Sequence, residues 1–278
     1  MSAAQGSAAR RRAGRGFDWR RMPEVRAWSA LALLFLYAPL LVLVVYAFNA
    51  NRVALIWSGF STQWFVKAFA NEDLRRAAWN SVVVAAVATP VSTLLAIPAA
   101  LGFERGRFFP GRATGEALVA LPLVAPEIVT AIATLIFFEA IGLRAGLGNV
   151  ILAHVVFCIP FALLPIRARL REMPSDIEDA ARDLYAGRWQ VFRRVTLPLI
   201  MPAVVAGATL AFVVSLDDFL ITLMVAQAGA TTLPVYLYGM LRVGVTPEAN
   251  AAATILLVVS VAAVILSFLI ANRQRRRA

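Results

Sequence analysis

The chain has 278 residues, of which 60% are hydrophobic, with a mean hydropathy of +0.74 and a formal charge of +11. So apolar a composition excludes an ordinary soluble domain. One cysteine, Cys158, and one histidine, His154, also exclude an intrachain disulfide and a His/Cys metal centre.

Residues 1–27 form an Arg-rich tail. Its first fifteen residues are dominated by Ala, Gly, Ser and Arg, a composition expected to stay disordered and to touch anionic lipid. Apolar windows long enough to cross roughly 30 Å of hydrocarbon follow at Trp28–Phe48, Ser81–Leu101, Ala117–Ile141, Val150–Ile166, Ile200–Ala226 and Ala251–Ala271. These six windows make 28–271 a polytopic, all-α membrane domain, with 272–278 a basic tail. The first window is too long for a signal peptide and lacks a small-x-small cleavage pattern at Ala47-Phe48-Asn49, so it reads as an uncleaved anchor. Pro122 and Pro126 in the third window, and Pro160 and Pro165 in the fourth, predict kinks.

The charge is distributed by side. With the N-terminus inside, 21 of the 27 basic residues fall on the cytoplasmic face, and Arg52, Lys67, Arg75, Arg76, Arg144 and Arg242 fall outside. This is the positive-inside pattern. It accounts for the net charge without nucleic acid and places both termini in the cytoplasm.

Acids inside apolar windows mark candidate pathways, because an ionised group at the bilayer centre costs at least about 2.5–3.5 kcal/mol. Glu127 follows Pro126 roughly ten residues into the third window, near the midplane at about 1.5 Å per residue. A helix broken there is tolerated if it lines a cavity. Asp217 and Asp218 stand in the fifth window, where neighbours on a helix differ by about 100° in direction. Their bland alternative is contact with headgroup water, and for Glu127 it is a hydrogen bond to a neighbouring helix. Carboxylates on the route favour a cationic cargo. Glu139, near the outer end of the third window, reads as interfacial, and His154 with Cys158 on the fourth window as packing. There is no G-x-x-x-x-G-K-[ST] phosphate loop and no catalytic constellation, so the chain is neither an ATPase nor an enzyme in its own right.

Between the fourth and fifth windows lies MPSDIEDAARDLYAGRWQVFRRVTLP, Met173 to Pro198, too polar to enter a bilayer. Ser175 and Glu178 form the spacing of a capping box, predicting a helix from Asp176. Ile177, Ala180, Ala181 and Leu184 then share one face of small and apolar residues. After Gly187 a second short helix is expected from Arg188 to about Thr196, with Trp189 and Phe192 on one side. A charged amphipathic loop between spans is the bland reading, and helix-in-groove docking onto a soluble partner is the functional one.

The segment resembles the EAA motif of the permease subunits of ATP-binding-cassette importers. Asp179, Ala180 and Ala181 take its first three places, and Val195, Leu197 and Pro198 its last. Two departures are Asp for the usual Glu, and Tyr185 at the usual glycine. If that glycine serves a positive-φ turn, the turn is expected to move to Gly187. The external segments WSGFSTQWFVKAF and TLPVYLYGMLRVGVTPEANAAAT, together with SLDDF and PEIV, resemble the spermidine/putrescine permease subfamily. In the second of these, Thr246 can cap and Pro247 open the last span.

The resemblance implies the six-helix architecture of a type I ABC importer permease (MetI-like), with coupling helices at 174–197. It implies an inner-membrane subunit that works by alternating access beside a second permease, a paralogue rather than a second copy. Two ATPases would bind the ATP and Mg, this chain holding no cofactor, and a periplasmic binding protein would dock outside. The coupling residues it implies are Asp179, Ala180, Ala181, Leu184, Tyr185, Gly187, Trp189, Leu197 and Pro198. The rival readings are the same machine with another small organic ion or an anion as cargo, and an ATPase-free channel or structural subunit.

Overall fold

The computed structural model describes residues 23–53, 56–106, 110–244 and 246–275; the expectations for residues 1–22 and 276–278 lie outside them. The described chain is α-helical. In order it forms α1 (Pro23–Tyr46), α2 (Gln63–Ala70), α3 (Glu72–Glu104), α4 (Arg112–Val124), α5 (Glu127–Ala140), α6 (Leu147–Glu172) and α7 (Asp176–Asp183). Next come α8 (Arg188–Val191), a π-helical turn (Phe192–Thr196), α9 (Leu197–Asp217), α10 (Leu220–Val225), α11 (Leu233–Val243) and α12 (Pro247–Arg275).

Among the described residues, five helices are long and apolar enough to cross a bilayer: α1, α3, α6, the continuous α8–α9 and α12. A sixth crossing exists if α4 and α5, bent by 112° at their junction, count as one. The expected kink in the third window is therefore a break. Ala125, which precedes a proline, is driven to an extended conformation (φ −70°, ψ 142°), so α4 ends at Val124 and Pro126 opens α5. The fourth window behaves otherwise: α6 is one helix through Pro160 and Pro165 and extends past the window on both sides. The fifth window is also divided, since α9 ends at Asp217 and α10 starts at Leu220. At the chain's edges, α1 starts at Pro23 rather than at Trp28, and α12 runs on to Arg275.

The core is the α3–α6–α9 triad, with α12 against α9, α5 against α10 and α1 on the outside against α12. Lipid gives no hydrophobic driving force between helices, so small residues that allow close backbone approach do the packing. Ala88, Ala96, Ala100, Ala162 and Ala211 are fully buried. At the α6–α9 crossing a Cβ on Gly207 would lie 2.5 Å from the Ala162 carbonyl oxygen. Only glycine fits there.

Between the long helices the chain forms the short helices α2 and α11, and α3 holds α11 and the start of α12 through hydrogen bonds. Asn80 donates to the carbonyls of Gly229 (3.0 Å) and Thr231 (2.9 Å), and Ser81 Oγ accepts from Leu233 N at the head of α11 (2.8 Å). Asn71 caps α3 through Leu74 N (3.1 Å) and also donates to Glu248 on α12 (3.0 Å). As expected, Thr246 Oγ1 accepts from Ala249 N (3.3 Å) at the start of α12.

The crossing at Gly207 makes a direct prediction. Gly207→Ala forces the two helices apart and destabilises the protein by about 1–3 kcal/mol. A lowered midpoint of thermal unfolding in detergent is the expected reading, and an unchanged one would refute the close contact.

Candidate functional site

Two constellations stand out, one at each end of α9. At its start, α7 and α8 form a short angular pair that projects from the helical body. The apolar side chains expected to meet a partner are open: Ile177 is 43% exposed, Leu184 82%, Tyr185 98% and Trp189 68%. Trp189 stacks on Phe192 with centroids 5.4 Å apart. Asp179 and Ala180 are exposed and Ala181 half-buried, while Asp179 accepts a charged hydrogen bond from Arg182 (2.7 Å). Gly187 and Pro198 are exposed, and Leu197 packs partly into the core.

The local geometry corrects three expectations. α7 does begin at Asp176, but no capping box forms, because the Ser175 side chain makes no cap bond and Glu178 turns inward instead. The turn has not moved to Gly187, which has φ −66°; Tyr185 itself adopts φ +60°. Ala186 N bonds the Ala181 carbonyl (3.2 Å) and Tyr185 N that of Arg182 (2.9 Å), the paired bonds of a Schellman cap with its left-handed position at Tyr185. Gly187 caps α8, its N–H donating to Gln190 Oε1 (3.0 Å). The second coupling helix is not separate either. Pro198 offers no N–H to the preceding turn, Leu197 N reaches back to Phe192 O, and the helix continues through a π turn into α9.

Behind this pair the helix ends are pinned by ion pairs. Glu104 on α3 accepts from Arg167 (2.6 Å) and Arg171 (3.1 Å) of α6. Arg167 also meets Glu116 of α4 (3.2 Å), which pairs with Arg112 (3.0 Å).

At the far end of α9 the three acids singled out in the sequence converge, though not as pictured. Glu127 is the exposed first residue of α5, where a negative charge suits a helix N-terminus. Counting depth along one straight span fails for it, because the span is bent. Its carboxyl lies beside that of Asp218 and within Coulombic range of Asp217. Asp217 is exposed and Asp218 is 5% exposed, just past the helix end rather than on it.

Asp218 is held from several sides. Its carboxylate accepts from Thr222 N (2.9 Å) and Thr222 Oγ1 (2.9 Å), so it caps α10, and its Oδ2 lies 3.1 Å from His154 Nε2. The same Nε2 lies 3.1 Å from Thr222 Oγ1, so ring, hydroxyl and carboxyl form one buried cluster. On the other side of the ring, Nδ1 lies 2.8 Å from Ser215 Oγ. His154 is fully buried, and its four-residue neighbour Cys158 sits 3.5 Å from the Ala211 carbonyl. The sequence reading takes His154 as packing and does not single out Ser215 or Thr222. Their partners lie on other helices, and no spacing within the chain announces them.

Two tests follow from these geometries. Tyr185→Gly removes the penalty on a left-handed L-residue and stabilises the fold by about 1 kcal/mol, read as a raised unfolding midpoint. His154→Ala strands a buried carboxylate and costs about 3 kcal/mol, read as loss of monodisperse protein on heating.

Residues 78–278 match the family described as binding-protein-dependent transport system inner membrane component. The chain is 38% identical over 268 residues to the putrescine transport system permease protein PotI of Escherichia coli K12, covering 92% of this chain and 95% of the relative. It is 36% identical over 247 residues to the spermidine/putrescine transport system permease protein PotC of Haemophilus influenzae, covering 89% and 96%. Among solved structures, a bacterial ABC transporter for import of the acidic polysaccharide alginate superposes with a TM-score of 0.70 at 20% identity, covering 97% of this chain and 99% of that one. The methionine ABC transporter MetNI in an inward-facing form gives 0.62 at 21% identity, covering 72% and 95%. The fold is that of a type I ABC importer permease, and the chain belongs to the family of binding-protein-dependent transport system inner membrane components.

Proposed function

We propose that this permease subunit imports polyamines, with ATP hydrolysed by separate subunits. Two nucleotide-binding subunits would close on ATP and Mg in the cytoplasm, push on α7 and α8, and rock the helical body between outward and inward openings. A second permease, a paralogue, would complete the pathway, and a periplasmic binding protein would deliver cargo to the side bearing α2 and α11. Both termini are then cytoplasmic, in line with the Arg distribution.

The observation that carries the coupling reading is the exposure of Leu184, Tyr185 and Trp189 on a short charged helical pair. Apolar surface beside charge suits a protein groove and not water. For the cargo, Glu127 and Asp217 offer exposed carboxylates at the α9–α10 break, while Asp218 is held by His154 and Thr222. Two open acids suit a molecule with more than one ammonium group. The names of the putrescine and spermidine/putrescine relatives support the same cargo class.

Reconstitution with the co-purifying ATPase and binding protein tests the whole reading. ATP-dependent uptake of labelled spermidine or putrescine, insensitive to competing anions, is the expected result; uptake driven without ATP, or blocked by an anion, overturns it. Asp217→Asn and Glu127→Gln are each expected to weaken uptake roughly tenfold while assembly survives. Unchanged kinetics in both would remove the carboxylate path. Ala181→Asp puts a charge into the docking face and abolishes transport-coupled ATP hydrolysis.

A further inference from the structure

The side chain of α7 that the body of the protein holds is a charged one. Glu178 is 5% exposed, whereas the apolar Ile177 of the same helix and Leu184 just past its end point outward. Its Oε1 accepts from Thr196 Oγ1 (2.8 Å) and its Oε2 lies 3.5 Å from Arg105 Nε. Arg105 is the residue that ends α3, and its Nη2 donates to the carbonyl of Met173, which ends α6 (2.6 Å). Thr196 is the last residue of the π turn that leads into α9. One carboxylate thus joins α7 to the ends of α3 and α6 and to the start of α9. Among the described residues, no other side chain of α7 is hydrogen-bonded or ion-paired outside its own helix; Asp179 bonds only Arg182.

A lever needs a stiff joint. Short turns at 173–175 and 184–187 join α7 to its neighbours, and its apolar Ile177 is exposed. Force applied to α7 therefore reaches the core helices α3, α6 and α9 through Glu178. A buried, charge-assisted contact resists displacement better than a surface pair, because separating it leaves an uncompensated charge. We infer that the Glu178–Arg105–Thr196 contact is the positioning joint that turns movement of α7 into movement of the transport helices. Its place beside a π turn fits, since such turns mark points where a helix can shift register. The joint rests on the ATP-coupled reading given above, but names residues that face the helical body rather than the exposed side of α7.

The experiment compares Glu178→Gln, Thr196→Val and Arg105→Lys in the full reconstituted complex, measuring co-purified ATPase, ATP hydrolysis and uptake of labelled spermidine or putrescine. Glu178→Gln keeps an acceptor for Thr196 and loses the charge. Assembly and ATP hydrolysis are expected within twofold of the unsubstituted complex, while polyamine taken up per ATP hydrolysed falls at least tenfold. Thr196→Val should fall less, and Arg105→Lys, which keeps the charge, should retain most of the ratio. An unchanged ratio in Glu178→Gln and Thr196→Val overturns the joint. If Glu178→Gln fails to assemble, a normal ratio in assembled Thr196→Val overturns it, and a lowered one supports it. Should the unsubstituted protein bring down no ATPase, the importer reading falls and takes the joint with it.

Discussion

The carboxylate of Asp218 governs the shape of the α9–α10 junction, because it lets a membrane helix stop and restart. Ending α9 at Asp217 frees backbone N–H groups at the head of α10, and in a bilayer such groups have no water to turn to. Asp218 accepts from Thr222 N and Thr222 Oγ1, and His154 presents a ring nitrogen to the same oxygen. A buried acid is costly unless paired and hydrogen-bonded. Here it is hydrogen-bonded by Thr222 and set against the His154 ring, so the break at the far end of α9 is a fixed feature of the fold. The same break brings Asp217 into the open and sets it near Glu127, which the break at Pro126 placed at the head of α5.

The opposite end of the molecule solves the same problem with full charges. Glu104, Glu116 and Glu178 sit among Arg105, Arg112, Arg167 and Arg171, and each links two or more helix ends. Several arginines that count toward the positive-inside bias therefore also act as structural ties. Between these polar ends the helices rely on small side chains, and the backbone approach at Gly207 shows how tightly α6 and α9 cross. The body is thus pinned at its α7 end by ion pairs and closely packed in the middle.

Much of this was legible from residues alone. The apolar windows found the crossings, and the Asp179-Ala180-Ala181 to Pro198 pattern located the projecting pair. Local chemistry at α7 was harder. Ser175 and Glu178 have capping-box spacing, yet Glu178 is drawn away by Thr196 and Arg105, which stand 18 and 73 residues along the chain from it. Tyr185 takes the left-handed position because the Schellman bonds from Ala186 and Tyr185 require it there, whatever Gly187 would permit.

By itself, then, the sequence determined the elements whose signals are local: apolar length, the prolines that interrupt it, the sidedness of charge and the motif before α9. Tertiary structure decided which prolines break a helix and which do not, since α6 runs through Pro160 and Pro165 while α4 stops before Pro126. It also decided which acids are open and which are sequestered, because His154 and Asp218 meet only when α6 packs against the end of α9. A buried polar group must find its partner wherever the fold provides one, and that place is set by packing between helices, which no spacing along the chain encodes.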